Sequence, residues 1–72
     1  MIKISDADRA FLVEIIPNAD RLLESDKIND ILLPLDDWIV QNGYAPEGEE
    51  QYVLTPLGRK AERIYDRIYY NN

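Results

Sequence analysis

The clearest pattern in the chain is an apolar stripe. Ile28, Ile31, Leu32, Leu35, Trp38 and Ile39 fall at i, i+3, i+4, i+7, i+10 and i+11, the spacing that gathers side chains on one side of an α-helix. Asp30, Asp36, Asp37 and Gln41 lie between those positions, on the side left to solvent. Pro34 interrupts the stripe, removing one backbone hydrogen bond and crowding the carbonyl of Asp30. The stripe stays in phase across it, so the pattern favours one kinked helix; a break, with Pro34 opening a fresh helix, is the alternative. Asn42-Gly43 ends the helix, with Gly43 expected in the left-handed position that follows a last turn.

Two shorter helical signals precede this one. Ser5 offers an N-cap, Asp6 and Asp8 suit the positive end of a helix dipole, and Ala7, Ala10, Phe11 and Ile15 recur with Leu12 and Ile16 at helical spacing. Pro17 disfavours helical geometry at Ile16 and stops that helix. Asn18 is a second cap candidate, ahead of a short helix over Ala19-Asp-Arg-Leu-Leu-Glu24, and Ser25-Asp26 is a third.

After Gly43 the period changes. Tyr44-Ala45-Pro46 and Gln51-Tyr-Val-Leu-Thr55 flank Glu47-Gly-Glu-Glu50, and Tyr52 and Leu54 alternate with Gln51, Val53 and Thr55 as in a half-buried strand. Gly48 allows a turn and Pro46 suits an edge strand. Thr55-Pro56 then restarts a helix, threonine as N-cap and proline at the first position. Its apolar stripe is Leu57, Ala61, Ile64, Tyr65 and Ile68, and Arg59, Arg63 and Arg67 line another face at i, i+4, i+8.

The order of elements, with the residues LxxWIxxNGY and YxLTxxGRxA between Leu35 and Ala61, resembles the winged helix-turn-helix domains of small regulators of the MarR and PadR types. The resemblance covers most of the chain. It implies a mainly α fold with a small β-hairpin, an α+β class: three helices, a two-stranded antiparallel wing and a C-terminal helix in one domain over residues 1–72. Within it Tyr52 and Leu54 close the wing over the core, and Gly58 allows close packing where a side chain would collide. The last helix of such proteins often forms a dimer interface.

Charge argues against the usual job of that frame. Residues 28–42 contain no Lys or Arg and three Asp, and the expected wing loop adds Glu47, Glu49 and Glu50. Docked as a recognition helix and wing, this face would bring six carboxylates to phosphate with no counterion release to offset them. Asn29 and Gln41 could read bases but supply no affinity. Over residues 1–55 four basic side chains stand against twelve acidic ones, a net −8, whereas residues 56–72 carry +2. The expectation is a non-catalytic interaction module. Its acidic face (Asp30, Asp36, Asp37, Glu47, Glu49 and Glu50) meets a basic protein surface, and its last helix self-associates or docks through Tyr65, Tyr69 and Tyr70. The alternative is a DNA-binding regulator touching phosphate through Arg59, Lys60, Arg63 and Arg67, with Arg9 and Lys27.

Remaining chemistry is sparse. With no cysteine and no histidine, disulfides, zinc fingers and Cys or His nucleophilic dyads are excluded. No carboxylate pair is placed to share a substrate, so no enzyme, cofactor, metal or small-molecule substrate is expected. Asp36 and Asp37, adjacent on a helix, do not face one another. The interleaved Glu62 and Asp66 could pair with the arginines of the last helix. Hydrophobic residues at 46% with 31% charged place the chain among globular proteins rather than disordered ones. No apolar run approaches a membrane span, and MIKISDADRA lacks the blocks of a signal peptide, so a soluble, cytoplasmic protein is expected.

Overall fold

The computed structural model describes residues 1–43 and 54–72. Among them four helices follow in order: α1 (Asp6–Ile15), α2 (Ala19–Leu23), α3 (Asn29–Asn42) and α4 (Pro56–Asn71). Consecutive helices pack on one another, α3 against α4 most extensively.

Local sequence sets most of the boundaries. Ser5 is extended, and its side-chain oxygen accepts the Asp8 N–H at 3.2 Å. Ile16 leaves the helix in an extended conformation, as a residue before proline must. Thr55 caps α4, its Oγ1 accepting from the Gly58 N–H at 3.0 Å with Pro56 in the first turn. A single helix runs through Pro34. Asn18 does not cap α2 with its side chain; it takes the left-handed conformation (φ 63°, ψ 21°) that turns the chain between α1 and α2, a role its short polar side chain tolerates. Ser25 works within its own loop, accepting from the Lys27 N–H at 3.0 Å and donating to the Asp30 carboxylate at 2.5 Å.

The core is made of helix faces. Leu12, Leu23, Ile31, Leu35, Ile64 and Ile68 are fully enclosed, and Phe11, Ile16, Ala19, Leu32, Ile39 and Ala61 complete it together with Ile2 from the N-terminal segment. That segment is held by the Ile2 N–H to the Leu23 carbonyl (3.0 Å) and by Asn72. The Asn72 side-chain amide accepts from the Lys3 N–H (2.8 Å) and donates to the Lys3 carbonyl (3.1 Å). Trp38 is half-buried and meets Phe11 edge to face at 6.3 Å, in the range favoured by aromatic quadrupoles.

The expected α+β class is overturned. Of the described residues 73% are helical and none forms a strand, so the described part is a small helical domain, with no β-hairpin wing among its residues. Tyr44–Pro46, the Glu47–Glu50 turn and Gln51–Val53 fall on residues 44–53, outside the described residues. The physical reason lies on either side of them. Among the described residues, helix faces with Ile2 and Ile16 supply the buried core, and Leu54, placed by alternation on a strand face, packs against it. Thr55 ties the start of α4 to the end of α3, its N–H donating to the Gly43 carbonyl at 2.7 Å and its hydroxyl to the same oxygen at 3.2 Å. A period-two pattern over five residues says little against a core that four helices fill.

Gly43 also departs from expectation. It is right-handed (φ −86°, ψ −10°), not left-handed. Its small size matters because α4 begins against it. A Cβ on Gly58 would lie 2.0 Å from the Gly43 carbonyl oxygen and 2.8 Å from the Gly43 Cα. The close packing expected at Gly58 is thus a backbone-to-backbone contact between the end of α3 and the start of α4.

Candidate functional site

In α1, the expected apolar positions Ala7 and Ala10 are exposed. The buried row is instead Asp8, Phe11 and Leu12, with Ile15 half-buried, so a carboxylate occupies the first place of an i, i+3, i+4, i+7 stripe. Asp8 is 8% exposed and accepts two charge-assisted hydrogen bonds from Arg67, Nε to Oδ2 and Nη2 to Oδ1, both 2.8 Å. This forked geometry is the strongest form of a carboxylate–guanidinium pair. It holds the Asp8 carboxyl below the usual carboxylate range, against the opposing push of burial, and raises Arg67. The pair ties the first turn of α1 to the last third of α4. Sequence reading missed it, although an acid in register with an apolar stripe was the available signal.

Arg67 is one of four cations that, with Pro56, line a groove of about 460 Å³ along α4; the others are Arg59, Lys60 and Arg63. Their roles differ. The Lys60 ammonium sits 4.7 Å above the Phe11 ring, within cation–π range. Arg59 and Arg63 are exposed. Glu62 and Asp66 form no ion pair with any of them among the described residues, so the expected salt-bridged face is absent there. Of the further cations, Arg9 is engaged by Asp20 at 3.0 Å, and Lys27 is exposed.

The acidic residues Asp30, Asp36 and Asp37 are exposed on the outer side of α3, as are Asn29 and Gln41. Glu47, Glu49 and Glu50 lie outside the described residues. Two aliphatic side chains share the outer side: Leu33 is 64% exposed and Val40 62%. At 100° per residue, Asp30, Leu33, Asp37 and Val40 fall within about 80° of one another, making one ridge of alternating acid and aliphatic. Leu33 and Val40 lie outside the core stripe, and sequence reading passed over them for that reason.

Of the tyrosines, Tyr65 is half-buried against the core. Tyr69 and Tyr70 are exposed and pack edge to face on each other at 5.3 Å. A shallow depression of about 260 Å³ near the end of α1 is edged by Trp38, Pro17 and Pro34. No three carboxylates cluster as a metal site would require, and no helix is long and apolar enough to cross a membrane, among the described residues. Compared with known protein families, curated proteins and solved structures, the chain shows no match.

Proposed function

We propose that this protein is a non-catalytic helical interaction module whose outer α3 ridge docks on a basic, partly apolar protein surface. One observation carries the reading. Leu33 and Val40 are left in water beside Asp30 and Asp37 on a helix that has no basic residue. Single exposed aliphatics are ordinary. Two of them one turn from two acids, on one row, match the apolar and cationic sides of an amphipathic basic helix. The acids steer encounter and fix orientation, and the aliphatics supply the desolvated contact.

The test is a fluorescence-anisotropy titration with a labelled helical peptide of leucine and lysine at about 0.15 M salt. Micromolar binding is expected for the native chain. It should weaken at least tenfold in a triple Asp30→Asn, Asp36→Asn, Asp37→Asn variant and in Leu33→Ser/Val40→Ser. Equal binding by all three proteins removes the reading.

The α4 groove favours a second reading, DNA binding through Arg59, Lys60, Arg63 and Arg67. Few cations line it and Arg67 is already paired, so phosphate contacts would be few, binding weak and its salt dependence shallow. No binding to random duplex at about 50 mM salt removes it.

A further inference from the structure

The molecule carries two exposed helix faces of opposite sign. The α3 ridge presents Asp30, Asp36 and Asp37 with Leu33 and Val40, and the α4 groove presents Arg59 and Arg63 with part of Arg67. Among the described residues, no carboxylate of α3 lies within ion-pair distance of a cation of α4, because the two helices bury their inner faces against each other. Each face is therefore available to something outside the chain that carries the opposite pattern. The nearest such surface is on another copy.

We infer that the α3 ridge of one copy docks along the α4 groove of the next, so that copies join head to tail. This rests on reading the ridge as a docking surface and names its occupant. Register supports the pairing. At about 1.5 Å of rise per residue, Leu33, Asp37 and Val40 lie roughly 4.5, 10.5 and 15 Å beyond Asp30 along α3. On α4, Arg63, Arg67 and Tyr70 lie roughly 6, 12 and 16.5 Å beyond Arg59. Laid parallel, the two rows agree to within about 1.5 Å. They set Asp30 by Arg59, Leu33 by the aliphatic arm of Arg63, Asp37 by Arg67 with the exposed Asp66 at the edge of the row, and Val40 by the Tyr70 ring. Laid antiparallel, both acids still meet arginines and Val40 falls by Pro56, which lines the same groove, so the register allows either direction.

Arg67 can serve both contacts. Asp8 uses its Nε and one Nη2 hydrogen, its side chain is 51% exposed, and a guanidinium has five N–H donors. The contact is small, one helix against another, so it belongs to the weak and transient class. Each copy carries a net −6 and repels the next at long range, but at about 0.15 M salt the screening length of about 8 Å mutes that repulsion while paired side chains still attract. The contact is heterologous: it leaves one face free on each copy and generates rings or chains rather than a closed pair.

Charge exchange tests the inference. The native chain is compared by sedimentation equilibrium at about 0.15 M salt with Asp30→Arg/Asp37→Arg and with Arg59→Glu/Arg63→Glu, the fold of each being checked by circular dichroism. The native mass should rise with concentration up to about 1 mM, and each variant alone should stay monomeric. An equimolar mixture of the two should associate again, because each variant then offers the other both complementary faces. A variant that does not fold is replaced by its neutral form, Asp30→Asn/Asp37→Asn or Arg59→Gln/Arg63→Gln, for which the expected result is weaker association. A native chain that stays monomeric overturns the inference. So do variants that associate as the native chain does, or association lost only on Tyr69→Ser/Tyr70→Ser. Where the native chain is monomeric yet binds the basic peptide through α3, the second copy alone is ruled out; where both fail, the ridge reading falls with it.

Discussion

Asp8 and Gly58 show how much of this fold hangs on single atoms. Asp8 is buried enough that its charge needs a partner, and Arg67 supplies it from 59 positions away. Replacing Arg67 by Met keeps the aliphatic arm but leaves that carboxylate unpaired. Because Arg67 is half exposed, the loss is put at roughly 1–3 kcal/mol, below the range for a fully buried pair. Urea melts should show it, and Asp8→Asn added to Arg67→Met should cost less than the two changes summed. The pH dependence has a definite sign. The folded-state pKa of Asp8 lies below 3.8, so the unfolded chain takes up its proton first as pH falls. The stability from the pair is therefore complete above about pH 5 and drains away as pH drops below 4 toward the lowered value. Asp8→Asn should flatten that part of the melting-temperature profile; an unchanged acid limb would show that other carboxylates control it. Gly58→Ala sets two effects against each other. Alanine gains about 1 kcal/mol in helix propensity, but its Cβ would meet backbone at 2.0 Å. Overpacking against an immobile carbonyl costs about 3 kcal/mol, so thermal melting should show net destabilisation.

At the scale of elements, the caps and stripes were legible, and the strand reading did not hold among the described residues. Ser5, Pro17, Thr55 and Pro56 act within one turn of their own positions, so their effects can be read without knowing the rest of the chain. The α3 stripe was long enough to survive Pro34, since four enclosed or nearly enclosed residues on one side hold the helix together. Removing the proline tests that account. Pro34→Ala restores an N–H to the carbonyl of Asp30 and improves helix propensity by up to about 3 kcal/mol, offset by the entropy that alanine returns to the unfolded chain, about 1 kcal/mol. A net gain of about 1–2 kcal/mol is expected in chemical denaturation. A loss would mean that the half-buried ring is needed where it packs. The strand reading over Gln51–Thr55 had only an alternation of five residues behind it, and Leu54 at its end belongs to a helical core.

The whole molecule is a thin core with charge sorted onto its outer helices. At 0.05–0.15 kcal/mol per residue, a chain of 72 residues has roughly 4–11 kcal/mol of stability. Leu35 has no exposure, and Leu35→Ala should cost about 3 kcal/mol through lost transfer energy and the cavity it leaves. That is a large share of the total, so the variant should melt far below the native chain and show marked unfolding near 37 °C by circular dichroism. The sequence alone determined the four helical segments, most of their ends, the need for glycine at 58 and the segregation of charge, because propensity, capping and periodicity act within a few residues. Only the tertiary structure decided that helices fill the core among the described residues, that Asp8 faces Arg67, that Gly43 is right-handed against Gly58, and that Leu33 and Val40 share a ridge with Asp30 and Asp37. Those features depend on which faces meet across long stretches of chain, and short-range patterning carries no record of that choice.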